Sequence, residues 1–85
     1  MSSDAEKIQQ VLDQINPKNR QLAGTVTKAF CPVQRLAVAE VLLAADSAGS
    51  FFPLLPRLKQ ILNFPDERFV QALTRICKEM QIRPT

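Results

Sequence analysis

The stretch Leu36-Ala37-Val38-Ala39-Glu40-Val41-Leu42-Leu43-Ala44-Ala45 decides the fold of this chain. Nine of its ten residues are apolar, and alanine and leucine are strong helix formers. A helix that is apolar on nearly every side has neighbours on most of its sides. Ten residues are too few to cross a bilayer, which takes about twenty. The stretch therefore predicts a buried central helix.

Two helices are predicted before this central helix. Ser3 and Glu6 have the spacing of a capping box, and apolar residues recur behind them at helical spacing. Asn16 and Pro17 end the first helix and begin the second, with Asn16 as N-cap and Pro17 in the first turn. Cys31-Pro32 ends the second helix. The inward side chains are expected to be Ile8, Val11, Leu12 and Ile15 in the first helix and Leu22, Val26 and Phe30 in the second.

The central helix is predicted to span Pro32 to about Asp46, and two further helices follow it. Gly49 lies in a short connection and suits the left-handed conformation that often ends a helix. Proline is best tolerated near a helix start, so the fourth helix is predicted at Pro53–Leu62 and the last at Pro65–Met80. The inward residues are expected to be Leu54, Leu55, Leu58, Ile61 and Leu62 in the fourth helix, and Phe69, Leu73, Ile76, Cys77 and Met80 in the last.

These patterns together predict an all-α fold. The chain has 85 residues, of which 46% are apolar and 22% charged, which is typical of a globular protein. No segment alternates apolar and polar residues in the way that a half-buried strand does. We therefore expect residues 1–85 to form a compact single-domain bundle of about five short helices around the buried central helix.

The composition argues against an enzyme. The chain lacks histidine, the commonest general acid–base, and has only two glycines, too few for a phosphate-binding loop. Its cysteines, Cys31 and Cys77, form no metal-binding motif. We expect no catalysis, cofactor, metal or small-molecule substrate. Two reduced thiols and the lack of a signal or membrane segment predict a cytoplasmic protein that does not bind membranes.

Large apolar residues crowd the stretch Phe51-Phe52-Pro53-Leu54-Leu55. A helix start rarely buries so many of them, so part of this patch is expected to be an exposed interface. The preferred function is a small, non-catalytic regulatory or adaptor protein that contacts a larger protein or a second copy of itself. The alternative is that the two phenylalanines only close the end of the bundle. The candidate protein-binding residues are Phe51, Phe52, Leu54 and Leu55.

The segment 32–80 suggests a second hypothesis. Two predicted helices, joined by a tight turn at 62–67, follow the central helix, and the last of them is amphipathic. This order resembles the three-helix core of helix-turn-helix and winged-helix regulators. The resemblance implies that the last helix is a recognition helix that enters the major groove of DNA. A helix-turn-helix DNA-binding transcriptional regulator is therefore the alternative function.

The charges of the last helix fit this alternative. Residues 1–50 carry five basic and five acidic groups, whereas residues 51–85 carry six basic and three acidic groups. A basic surface of this kind attracts nucleic acid, although it is also the ordinary solvated face of an amphipathic helix. The candidate nucleic-acid-binding residues recur at spacings of three and four opposite the apolar face, and they are Arg68, Gln71, Arg75 and Lys78.

Overall fold

The structure, a computed structural model, describes residues 3–84, and this part of the chain contains five helices and no strand. The predicted all-α bundle is therefore confirmed. Its radius of gyration of 11.7 Å matches the value of about 12 Å expected for a compact chain of this length. The helices are α1 (Asp4–Asp13), α2 (Pro17–Lys28), α3 (Pro32–Ser47), α4 (Phe51–Lys59) and α5 (Asp66–Met80).

Helix α3 is the centre of the bundle, as predicted. It contacts each of the other four helices, and Val38, Ala39, Leu42 and Ala45 have no exposed surface. Apolar side chains from the four surrounding helices pack against α3 in one continuous core. A helix with neighbours on most sides must be apolar on most sides. This explains why the polar residues of α3 are not gathered on one face.

The caps of the first two helices lie where the sequence predicts them. The hydroxyl of Ser3 accepts a hydrogen bond of 3.3 Å from the backbone N–H of Glu6 at the start of α1. The side-chain oxygen of Asn16 accepts one of 3.2 Å from the backbone N–H of Lys18, and Pro17 occupies the first turn of α2. Both helix starts thus satisfy a backbone donor that has no partner within the helix.

Two arginines donate hydrogen bonds to the free carbonyl oxygens at the C-terminal ends of α1 and α2. Arg20 on α2 donates hydrogen bonds to carbonyl oxygens at the end of α1, and Arg35 on α3 does the same at the end of α2. These guanidinium groups neutralise the negative ends of the two helices. Their donors are therefore largely used within the fold. The acceptors are Leu12, Asp13 and Ile15 for Arg20, and Lys28 and Phe30 for Arg35.

The buried face of α2 differs from the prediction. Ala23 and Thr27 are buried, whereas Leu22 is 40% exposed and Val26 is only half-buried. The side chains of Ala23 and Thr27 are small and let α2 approach α3 closely, and the Thr27 hydroxyl donates to the carbonyl of Ala23 at 2.8 Å. The expected inner edge is therefore wrong at Leu22, which lies at the surface.

The bounds of α4 also differ from the prediction. This helix begins two residues before Pro53 and ends three residues before Leu62. Phe51 is 3% exposed and serves as the buried first residue of the helix, which leaves Pro53 in the first turn. Pro56 lies inside the helix, without a backbone N–H to donate to the preceding turn. The last apolar residues of the predicted helix belong instead to the turn that leads to α5.

Two residues in the left-handed conformation end helices. Gly49 has a φ of 75° in the connection after α3, as predicted, and Gln81 has a φ of 57° after α5. The backbone N–H of Ile82 then donates to the carbonyl oxygen of Cys77 at 2.8 Å, as in a Schellman motif. This turn brings the buried side chain of Ile82 back to the core.

Candidate functional site

Helix α4 has one buried side and two accessible sides, and each accessible side forms the wall of a groove. Phe51, Leu54 and Leu58 make the buried side. The groove between α2 and α4 is called the apolar groove here, and the one between α4 and α5 is called the basic cleft. Leu22, Val26, Phe30, Leu55, Pro56 and Leu62 line the apolar groove together with Thr25, Ala29 and Lys59. Arg57, Gln60, Phe64, Arg68, Gln71 and Arg75 line the basic cleft above Ile61, Ala72 and Ile76.

The apolar groove is exposed because α2 turns Leu22 away from the core. Leu22 forms one wall at 40% exposure, and the half-buried side chains of Leu55 and Leu62 form the other. Lys59 is the only charged residue among the side chains that line it. An accessible strip of apolar surface with a polar rim is characteristic of a protein-binding site.

Phe52 adds an exposed aromatic side chain to the same side of α4 as the groove wall. It precedes Leu55 by three residues and Pro56 by four, so all three lie on the same side of α4. Its side chain is 60% exposed. The ring packs edge-on against that of Phe51, with 5.3 Å between the ring centroids and 86° between their planes. The buried ring thus holds the exposed ring in place at the end of the groove.

The four candidate protein-binding residues divide between core and surface. Phe51 and Leu54 are 3% and 0% exposed and belong to the core, so neither reaches a partner. Phe52 is exposed, and Leu55 is half-buried in the wall of the apolar groove. Part of the patch therefore does lie at the surface.

Leu22 was missed as an exposed residue and Val26 as a half-buried one. Their spacing of four also fits a buried stripe, and the only signal against burial is that Ala23 and Thr27 make a second possible stripe one residue further on. That second stripe carries little apolar surface, so the pattern alone favours the wrong one. Helix α2 packs against α3, and this tertiary contact determines which of the two stripes is buried.

The basic cleft places arginines on both of its walls. Arg57 lies on α4, whereas Arg68 and Arg75 lie on α5. The guanidinium carbon of Arg68 lies 4.9 Å from the centroid of the Phe64 ring, a cation–π contact that restricts the side chain. Arg57 forms an ion pair with Glu79 at the edge of the cleft. A guanidinium group binds planar or tetrahedral oxyanions through paired N–H donors.

The four candidate nucleic-acid-binding residues are all exposed. Arg68, Gln71 and Arg75 line the basic cleft, whereas Lys78 does not. Arg57 on α4 and Gln60, the C-cap residue of this helix, complete the cleft and were missed. Their spacing of three places them on one side of α4, but the sequence does not reveal that this side faces α5.

A carboxylate at the start of α5 is directed away from the basic cleft. The side-chain amide of Gln34 on α3 donates to Asp66 at 2.9 Å and to the carbonyl oxygen of Phe64 at 3.1 Å. These bonds hold Asp66 toward α3, and Asp66 does not line the cleft. Glu67, by contrast, is exposed at the helix start.

The remaining chemistry of residues 3–84 is sparse. This part of the chain contains no group of three His, Cys, Asp or Glu side chains that could hold a metal ion. Cys31 and Cys77 are unpaired, and burial raises the pKa of the Cys77 thiol. Among the described helices, none is long and apolar enough to cross a membrane.

Comparison of the chain with protein-family models, with curated proteins and with solved structures gave no match. The similarity to helix-turn-helix regulators therefore remains a resemblance in the order of the helices.

Proposed function

We propose that this protein is a non-catalytic regulatory or adaptor protein that holds an amphipathic helix of a partner protein in its apolar groove. The observation that carries the proposal is the accessible apolar surface between Leu22 on α2 and Leu55 on α4, which Phe52 prolongs. Exposed apolar surface with a polar rim is a frequent feature of protein-binding sites. A groove between two helices accepts a third helix through ridges and grooves of side chains.

The length of the groove supports a helical occupant. Phe52 and Lys59 are seven residues apart, so the α4 wall is about 10 Å long at 1.5 Å per residue. A partner helix of about two turns covers that length and presents apolar residues at positions i, i+3 or i+4, and i+7. The 60% exposed ring of Phe52 is the expected anchor, because aromatic residues dominate the binding energy of interfaces.

The charge around the groove favours an acidic flank on the partner helix. Lys59 lines the groove, and Lys18 precedes Leu22 by four residues, which places it on the same side of α2. No Asp or Glu is among the residues that line the groove. Two cations beside an apolar strip attract a helix with carboxylates next to its apolar residues.

Photo-crosslinking tests the proposal in cells. A photo-reactive residue replaces the exposed Thr25 at the rim of the groove, and the crosslinked peptide is identified by mass spectrometry. We expect a partner segment with helical apolar spacing and a negative charge. The same residue placed at Val33, which is 74% exposed and does not line the groove, serves as the positional control.

Two matched substitutions complete the experiment. Phe52 and Val70 are each 60% exposed, but only Phe52 lies in register with the groove. Phe52→Ser should reduce the Thr25 crosslink about tenfold or more, as expected for an interface anchor, whereas Val70→Ser should leave it unchanged. Equal effects of both changes would refute the proposal. A crosslink between two copies of the chain would identify the occupant as a second copy.

The proposal includes a cytoplasmic location. Its support is that Cys31 and Cys77 are both unpaired, the state that reducing compartments maintain. A fluorescent fusion with cell fractionation tests this part separately. Recovery in an oxidising compartment would contradict it.

A further inference from the structure

We infer that the basic cleft binds a single strand of nucleic acid through its phosphate groups. This activity goes beyond the proposed protein-binding function and uses the opposite side of α4. Arg57 lies on one wall, and Arg68 and Arg75 lie on the other. The carboxylate at the edge of the cleft is that of Glu79, which pairs with Arg57. The amide groups of Gln60 and Gln71 add uncharged hydrogen-bond donors between the arginines.

The spacing of the arginines suits a chain of repeated charges. Arg68 and Arg75 are seven residues apart, which separates them by about 10 Å along α5. A nucleic-acid strand carries one phosphate for each nucleotide. The two arginines therefore contact two separate phosphates of one strand, and Arg57 reaches the same strand from α4.

The apolar residues of the cleft do not favour a peptide ligand. Ile61 and Ile76 are 4% and 5% exposed, and the Phe64 ring is covered by Arg68. A bound peptide usually depends on apolar anchors in pockets, and the walls of this cleft offer mainly guanidinium and amide groups. A uniform polyanion accepts hydrogen bonds from all of these guanidinium and amide groups.

The dimensions of the cleft favour one strand over a duplex. The cleft has a volume of about 420 Å³, which is the size of a small-ligand site, so it accepts a short length of one strand but not a double helix. A recognition helix would present all four candidate residues of α5 to duplex DNA. One of them, Lys78, lies outside the cleft. We expect binding without sequence preference, since the contacts are to phosphates.

Three acidic residues lie near the basic cleft. Asp66 is hydrogen-bonded to Gln34 on α3, and Glu67 is exposed at the helix start next to Arg68. Glu79 pairs with Arg57 and competes with phosphate for that guanidinium. Both partners of this pair are substantially exposed, at 35% and 50%, so the pair contributes little to stability.

Fluorescence anisotropy with a labelled oligothymidine tests the inference. A length of about 12 nucleotides lies within the range that single-strand binders cover. Two or three phosphate contacts predict a slope of about −1.4 to −2 in the plot of log affinity against log salt. Binding should then weaken roughly 7- to 20-fold between about 50 and 200 mM salt.

Substitutions of the arginines give the residue-level test. Arg68→Gln and Arg75→Gln should each weaken binding and reduce the steepness of the salt slope by about 0.7, the value for one phosphate contact to a single strand. Lys7→Gln and Lys28→Gln remove the same charge from exposed positions outside the cleft and should change affinity less than about twofold. Equal losses in both pairs of variants would overturn the site.

Glu79→Gln gives a test of opposite sign. This change releases Arg57 from its ion pair, so it should tighten binding and make the salt slope steeper. Because a gain of affinity does not arise from misfolding, this result separates a specific site from structural damage. Unchanged or weaker binding would exclude Arg57 from the site.

Two competitors decide the class of ligand. A duplex of the same length should bind more weakly than the single strand, and a polyglutamate peptide of equal charge should compete poorly. Equal or tighter binding of the duplex would overturn the single-strand assignment in favour of groove recognition by α5. Tighter binding of polyglutamate would replace nucleic acid with an acidic protein segment as the ligand.

Discussion

The carboxylate of Asp46 at the end of α3 accepts a hydrogen bond of 2.9 Å from the side-chain amide of Asn19 on α2. Its second oxygen accepts one of 3.0 Å from the backbone N–H of Asn16. Asn19 is 7% exposed, although it is polar. One carboxylate thus joins the central helix to the turn between α1 and α2.

Replacement of Asp46 by Ala should lower the free energy of unfolding by about 1–3 kcal/mol, because the buried amide of Asn19 then loses its partner. Asn19→Ala should cost a similar amount, and the double variant should cost less than the sum. Urea unfolding of the four proteins measures the coupling. Purely additive losses would mean that the two side chains do not stabilise the fold together.

The central helix distinguishes two adjacent leucines. Leu42 has no exposed surface, whereas Leu43 is half-buried. Leu42→Ala should destabilise the fold by about 2–5 kcal/mol, because the change creates a cavity in the core. Leu43→Ala should cost clearly less, since solvent reaches the site. Thermal melts of both variants provide the measurement, and similar losses would contradict the orientation of α3.

The end of α5 offers a stabilising substitution. Gln81 has a φ of 57°, a conformation that costs a side-chain-bearing residue about 1–2 kcal/mol. Gln81→Gly removes that cost but raises the conformational entropy of the unfolded chain. The free energy of unfolding should therefore increase by about 0.5–1 kcal/mol. Gly49→Ala, at a φ of 75°, should have the opposite sign. Chemical denaturation tests both, and a loss of stability in Gln81→Gly would refute the left-handed turn.

The two cysteines should differ in reactivity. Cys31 is exposed, whereas Cys77 is partly buried against the core. Burial raises the pKa of the Cys77 thiol, so less of it is in the reactive thiolate form at a given pH. Labelling at neutral pH should modify Cys31 first, and denaturant should accelerate Cys77. Fast labelling of native Cys77, or an internal bridge, would contradict this arrangement.

The sequence predicts the framework of the fold because its strongest signals are local. The apolar stretch around Leu42 identifies the buried helix, and the caps at Ser3 and Asn16 give correct helix starts. Local signals fail where either of two stripes on one helix fits a buried position. In α2, the pattern of Leu22 and Val26 is more apolar than that of Ala23 and Thr27, yet close contact with α3 buries the smaller pair.

The candidate sites are predicted only in part for a related reason. The pattern of Arg68, Gln71 and Arg75 on α5 can be read from the sequence, and these residues do line one cleft. The facing residues Arg57 and Gln60 lie on α4 and at its C-cap, and the orientation of this helix depends on tertiary contacts. In the same way, Phe51 and Phe52 are adjacent and chemically identical, and only the direction of α4 buries one and exposes the other.

The two proposed activities should be separable, because they use different sides of α4. Phe52 lies on the side that faces the apolar groove, whereas Arg57 lies on the side that lines the basic cleft. Phe52→Ser should therefore abolish the partner crosslink without changing oligothymidine affinity. The double change Arg68→Gln and Arg75→Gln should do the reverse, while all of these variants keep the melting temperature of the parent within a few degrees, as exposed substitutions do. Loss of both activities from either variant, with the fold intact, would mean that the two grooves form one continuous site.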